Sequence, residues 1–112
     1  MKPGEIYWAD LEFAGRHRVI ILSRELLNRG HTVLAVPCTS QSFAKRSKLA
    51  NCVPFQSGRF GFTEPTIAQC ENVQIIEKQL LDPDPIDQIS DEALRDLIRA
   101  LGYVVEAECE PE

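Results

Sequence analysis

Two short runs of β-forming residues, Val19-Ile20-Ile21-Leu22 and Val33-Leu34-Ala35-Val36, constrain this chain more than any other feature. Both are bounded by polar residues, the pattern of short strands. The first follows a basic cluster, Arg16-His17-Arg18, and the second runs into a hydroxyl-rich one, Pro37-Cys38-Thr39-Ser40-Gln41. If the runs lie side by side, the two clusters meet at one rim of a small sheet.

The rest of the chain repeats this pattern. Gly4 to Leu11 reads as a first strand after a Pro3-Gly4 turn, with Ile6 and Trp8 on one face and Tyr7 and Ala9 on the other. Glu12 to Gly15 is a loop. The four consecutive apolar residues of the Arg18–Leu22 strand predict burial on both faces. Ser23 to Asn28 reads as one helical turn capped by Ser23. Thr32 to Cys38 is the third strand. Ser40 to Ser47 reads as an exposed basic loop, with Lys45, Arg46 and Lys48 in or beside it. Cys52 to Phe55 is an edge strand, because Pro54 cannot donate to a ladder. Thr66 to Cys70 and Val73 to Ile76 complete the sheet. Glu77 to Leu81 is a helical turn stopped by Asp82-Pro83-Asp84-Pro85.

One long helix follows Ile86 to Ile89. Ser90 is its N-cap, and Asp91 and Glu92 suit the dipole of its first turn. Leu94, Leu97, Ile98, Leu101, Val104 and Val105 recur at helical spacing and predict the buried stripe. Asp96 with Arg99 and Asp91 with Arg95 fall on the wet side. Five to seven short strands and a terminal helix predict a mainly β (α+β) fold, a small curved sheet or barrel.

A length of 112 residues suits one domain, placed here at residues 1–106, with an acidic tail at 107–112 expected to be disordered. No apolar run approaches the roughly 20 residues needed to cross a bilayer, and no secretory h-region follows Met1, so a cytoplasmic location is expected. The four cysteines, Cys38, Cys52, Cys70 and Cys109, form no CxxC pair. Three sit in apolar surroundings and read as buried thiols. Residues 1–64 carry a net charge of +4 and residues 65–112 a net −9. That asymmetry fits a polyanion-binding front half, and equally an acidic C-terminal helix with ordinary surface charges elsewhere.

The chain has no P-loop, GxGxxG or GxSxG motif, and His17 and His31 sit in no metal-ligand spacing, so no metal or other cofactor is expected. RNA cleavage asks for less. The 2′-hydroxyl is a nucleophile already present, and the enzyme supplies proton transfer and stabilises growing phosphate charge. Arg16-His17-Arg18 offers both kinds of group, and Thr39, Ser40 and Gln41 offer neutral donors. The plainer alternatives are a solvated strand end and a hydroxyl turn closing a strand.

Five segments, in order, resemble MazF/PemK-like toxins of type II toxin–antitoxin modules. These are Pro3–Leu11, Arg18–Ser23 with Asn28, Val36–Ser40, Gly61–Phe62 with Thr66–Val73 and Ile76, and the helix from Ile86 to Leu101. The resemblance implies an SH3-like barrel with a C-terminal helix, assembled as a homodimer. It also implies cleavage of single-stranded RNA without a metal, leaving a 2′,3′-cyclic phosphate and a 5′-hydroxyl, with a small antitoxin blocking the site. The family's catalytic threonine falls on Thr39. Its arginine–proline pair falls on His17 and Arg18, so the candidate catalytic set is His17, Arg18 and Thr39. His17 can shuttle a proton, and Arg18 serves if the loop from Phe13 to Gly15 shifts the strand start. Arg16, Ser40, Gln41, Lys45, Arg46, Lys48, Glu71 and Asn72 are the candidate substrate contacts. Two other readings remain: a weakened or inactive toxin-fold protein that acts by binding a gyrase-like target or an antitoxin, and an SH3-like peptide adaptor, for which the chain has few aromatics.

Overall fold

The two β-rich runs pair. In the computed structural model, which describes residues 1–11 and 14–106, they lie in strands β2 (Gly15–Ile21) and β3 (Thr32–Thr39), joined antiparallel with Val19 opposite Pro37 and Ile21 opposite Ala35. β1 (Glu5–Leu11) forms a hairpin with β2. β4 (Cys52–Phe55), β5 (Thr66–Gln69), β6 (Gln74–Glu77) and β7 (Asp87–Gln88) complete a seven-stranded sheet in the order β4-β5-β3-β2-β1-β7, with β6 also on β3. The sheet curls into a half-barrel against the terminal helix, as the strand spacing predicts. A four-residue helix, α1 (Phe43–Arg46), and the long α2 (Asp91–Glu106) are the α-helices among the described residues. The expected tail, 107–112, lies outside the described residues.

β3 owns the architecture because its outer edge serves two partners. Thr32 to Ala35 pair with β6, and Cys38 and Thr39 pair with β5. From Cys38 to Ala35 is three steps along β3, but the opposing chain takes six, from Ala68 to Gln74. The surplus forms a 3₁₀ turn at Cys70–Asn72. Pro37 sits opposite this interruption. The Leu22 N–H bonds to the Leu34 carbonyl at 2.8 Å, so residues 34 and 36 bond toward β2 and residue 37 turns its backbone to the outer edge. A residue without an N–H is tolerated in a central strand because no ladder runs past it there.

The sheet is buried on both faces. Ile6, Ile20, Val36, Phe55, Phe62 and Ala68 pack with Ala93, Leu97 and Ala100 of α2. Tyr7, Ala9, Val19, Ile21, Val33, Ala35 and Ile76 form a second cluster on the reverse face. Val19, Ile20 and Ile21 are fully buried, as four consecutive apolar residues predict. Free Cys38, Cys52 and Cys70 are buried too.

Four expectations are corrected. Ser23 caps no helix: its hydroxyl accepts the Leu34 N–H at 2.9 Å and donates to buried Asn28, so the pair closes the β2–β3 connection around a 3₁₀ turn at Leu27–Arg29. The Ser40–Ser47 loop contains α1. Asp87 and Gln88 pair with β1 instead of leading straight into the helix. The stripe expected on α2 holds at Leu97 and, half-buried against the core, at Leu94 and Val104, and fails at its outer edge. Ala93, Leu97 and Ala100 are the helix's buried residues, while Ile98 and Val105 are 56% and 62% exposed. Helical spacing also fits a stripe centred one residue away, and small alanines let the helix approach the sheet closely. Ser90 does cap α2, accepting the Ala93 N–H at 3.1 Å.

Two tests follow from the packing. Leu97→Ala should cost about 2–5 kcal/mol in urea unfolding, and Ile98→Ala within about 0.5 kcal/mol; equal costs would return Ile98 to the buried stripe. Burial also pushes the Cys38 and Cys70 thiols from 9.0 up to about 12. The unfolded thiols ionise first as pH rises, so this contribution to stability is complete below pH 9 and fades toward pH 12. Denaturation midpoints should fall across that window, and fall less in a Cys38→Ala/Cys70→Ala variant.

Candidate functional site

Strand alternation decides which way each residue of the basic cluster points. In the β1–β2 register Trp8 lies opposite Arg18, Ala9 opposite His17, and Asp10 opposite Arg16. Arg16, Arg18, Trp8 and Asp10 therefore share one face, and His17 projects from the other. All three cluster residues nonetheless reach one groove at the sheet rim, because β3 ends beside them. This groove, about 200 Å³, is lined by Arg16, His17, Arg18, Thr39, Ser40 and Gln41, together with Trp8, Cys38 and Glu64. The basic and hydroxyl clusters thus meet as their placement in sequence suggests.

The two arginines are held differently. Arg16 forks onto Asp82 at 2.8 and 3.3 Å and also reaches Asp10 at 3.3 Å. The Asp82 hydrogen bond raises its pKa above the ordinary arginine value. Arg18 makes no ion pair among the described residues. Its guanidinium lies 4.8 Å from the Phe62 ring centre and 5.5 Å from that of Trp8, and donates to the Thr66 hydroxyl at 3.4 Å. Trp8, also 5.5 Å from Arg16, remains 37% exposed and so offers part of its ring to the groove.

His17 is tied to backbone. Nδ1 lies 3.0 Å from the Cys38 carbonyl oxygen and Nε2 2.9 Å from that of Ala14. A carbonyl only accepts, so both contacts are hydrogen bonds only while both ring nitrogens carry a hydrogen. The β2–β3 ladder stops at Val19 and Pro37, and the imidazole fastens the next carbonyl, immediately before Thr39. The Thr39 hydroxyl accepts the Gln41 N–H at 3.2 Å, the hydroxyl turn foreseen as the plainer reading.

Glu71 and Asn72 border a neighbouring hollow of about 450 Å³ that shares His17 as a wall. They stand on the 3₁₀ turn opposite Pro37, and Glu71 accepts from the Asn51 amide at 2.9 Å. Lys45, Arg46 and Lys48, in and after α1, line neither hollow. A more apolar hollow of about 480 Å³ lies between β4 and α2, beside Leu49, Val53, Pro54 and Tyr103. It contains the Asp96–Arg99 ion pair and no cluster of proton-transfer groups, so the chemistry concentrates in the smaller groove.

Sequence reasoning missed Trp8, Phe62, Glu64 and Thr66. Alternation along β1 put Trp8 on the Ile6 face, but only the hairpin register sets it beside Arg16 and Arg18. Glu64 and Thr66 sit 46 and 48 residues beyond Arg18, with no local pattern to link them.

A family model described as PemK-like, MazF-like toxin of type II toxin–antitoxin system matches residues 2–105. Endoribonuclease EndoA of Bacillus subtilis (strain 168) is 29% identical over 108 residues, 90% of each chain. Among solved structures, the Mycobacterium tuberculosis toxin MazF-mt6 is 25% identical, with a TM-score of 0.78 over 91% of this chain and 96% of that one. A MazE–MazF structure from Deinococcus radiodurans shares the fold at 15% identity, with a TM-score of 0.74 over 94% of both chains.

The contrast between a backbone tie and a surface ion pair is measurable. His17→Ala, which removes the bridge between Ala14 and Cys38, should cost about 1–3 kcal/mol in chemical denaturation. Asp82→Ala should barely move the midpoint, because exposed ion pairs contribute little. The reverse order would show that the imidazole bridge does not hold the rim.

Proposed function

The chain belongs to the PemK-like, MazF-like toxins of type II toxin–antitoxin systems, and from that premise we propose that it is an endoribonuclease cutting single-stranded RNA. The observation that carries this is the groove, where the β2 cations and the Thr39 hydroxyl converge on a space fit for one phosphodiester. The 2′-hydroxyl attacks the adjacent phosphorus, the bond to the 5′-oxygen breaks, and the products carry a 2′,3′-cyclic phosphate and a 5′-hydroxyl. The nucleophile resides in the substrate, so the reaction runs without a metal.

Each residue has a role set by its position. Thr39 donates to a phosphate oxygen as charge grows on it, and Arg18 supplies the positive charge. The 2′-hydroxyl must lose a proton and the leaving oxygen must gain one. Two groove-lining side chains can carry protons: His17, once it releases one carbonyl, and Glu64. Ser40, Gln41 and Arg16 border the path of the strand. Glu71 and Asn72 contact the neighbouring nucleotide across His17, and Lys45, Arg46 and Lys48 meet more distant phosphates. The protein acts inside the cell as a homodimer held inactive by a small antitoxin. Relatives support the last point: one structure with the same fold, at 21% identity and a TM-score of 0.77, is an endoribonuclease in complex with its cognate antitoxin from Mycobacterial species.

One observation favours a second reading, a toxin-fold protein that only binds its target. His17 occupies the position of the family arginine, and both its ring nitrogens are engaged by backbone. Incubating the protein with a long single-stranded RNA in EDTA separates the two. New cyclic-phosphate and 5′-hydroxyl ends are expected, and Thr39→Ala should slow their appearance on the order of 10²-fold. Intact RNA, with growth arrest on expression, would establish the binding-only reading.

A further inference from the structure

The geometry points to a division of labour in the groove: Arg18 is its anion-binding group, Thr66 is the residue that positions it, and His17, held against backbone in the resting groove, is not an anion contact. This deepens the reading of the groove as an RNA site and rests on it.

Two arginines and a histidine reach the groove, and one of the arginines and the histidine are committed elsewhere. Arg16 is shared by Asp82 and Asp10, which neutralise it locally. His17 has each ring nitrogen against a carbonyl oxygen, 3.0 and 2.9 Å away, and offers no donor to a ligand while those bonds stand. Arg18 is the remaining charge. No carboxylate pairs with it among the described residues, and Glu64, which lines the groove, lies beyond ion-pairing distance. A guanidinium has five donors. Among the described residues Arg18 makes one contact to a side-chain acceptor, Thr66, which leaves donors for two phosphate oxygens.

The guanidinium is also held in place. Phe62 is 1% exposed and presents its ring 4.8 Å below, while Trp8 flanks at 5.5 Å. Such cation–aromatic contacts fix a plane without spending hydrogen-bond donors. Thr66 fixes the direction. It is fully buried at the start of β5, and its hydroxyl donates to the Glu64 carbonyl at 2.8 Å. With its hydrogen so engaged, the oxygen is left as an acceptor, and Arg18 donates to it. Anchored by the β-sheet at one end and by this relay at the other, the guanidinium needs little reorganisation when an anion arrives.

The test measures binding apart from cleavage. A labelled, fully 2′-O-methylated oligonucleotide cannot be attacked by its own 2′-hydroxyl. Its affinity for the intact protein is followed by fluorescence anisotropy over a salt series. Arg18→Ala should weaken binding roughly tenfold or more and reduce the slope of log affinity on log salt by about 0.7. Thr66→Val should show part of this loss, Thr66→Ser should restore it, and Thr66→Val should add nothing in an Arg18→Ala background. His17→Ala should lower the melting temperature and leave the salt slope intact. The proposal is overturned by wild-type binding in Arg18→Ala, by no salt-dependent binding in the wild type, or by a slope lost in His17→Ala instead. Full additivity of Thr66→Val with Arg18→Ala, or a Thr66→Val that loses stability and keeps the slope, also overturns it. The expected binding pattern with unmodified RNA left intact would remove the nuclease reading alone. RNA cleavage with an unchanged Arg18→Ala slope would remove the present proposal alone.

Discussion

The register between β2 and β3 is the constraint on which the rest depends. Val19 opposite Pro37 buries three consecutive residues of β2. It also sets the start of one strand beside the end of the other, so the rim holds Arg16, His17 and Arg18 next to Thr39, Ser40 and Gln41. A slip of one residue would turn Val19 and Ile21 to the face of Ile20, and both cores would lose their fit. Burial on two faces therefore protects the groove. The apolar runs fix the register, and the register fixes the chemistry.

The same strand explains the second hollow. Pro37 cannot donate, and the opposing chain uses that silent position to insert the 3₁₀ turn Cys70–Asn72. The turn lifts Glu71 and Asn72 out of the ladder and faces them across to His17. A local backbone defect in β3 and a surplus of residues opposite it thus make one feature, in the way bulges re-aim side chains elsewhere.

Much of this was legible in the sequence and some could not have been. β1, β2 and β3, the faces of Ile6 and Tyr7, the edge position of Pro54 and the Ser90 cap all follow from patterns within ten residues, where alternation, proline chemistry and capping act. The meeting of the two clusters followed from one added assumption, that adjacent apolar runs pair. What escaped notice depends on distant pairings. β7 is two residues long and exists only because β1 offers an edge. Arg16 looked like a free cation within a basic front half, but Asp82, 66 residues away, claims it. Local charge counts therefore overstated the basic surface at the rim. The α2 stripe holds at Leu94, Leu97 and Val104 but is drawn too far round the helix, because periodicity gives a repeat and not a phase; Ile98 and Val105 face outward, and Ala93 and Ala100 take inward positions by being small.

The position of the groove's free charge follows from a single step along a strand. By the resemblance drawn from the sequence, the family's arginine is expected at His17 and its proline at Arg18. Moving the guanidinium by one residue sends it to the opposite face of β2, toward Phe62, Trp8 and Thr66 and away from the Ala14 and Cys38 carbonyls. On a long strand that step would separate the charge from Thr39 by the thickness of the sheet. Here β3 leaves β2 after Pro37 to join β5, and the groove opens at that rim. Residues of either face can then border the same groove. The His17 ring instead lies between the Cys38 and Ala14 carbonyls, with one nitrogen against each. The curl of the half-barrel is thus what lets an arginine on one face of β2 and a histidine on the other border the same groove.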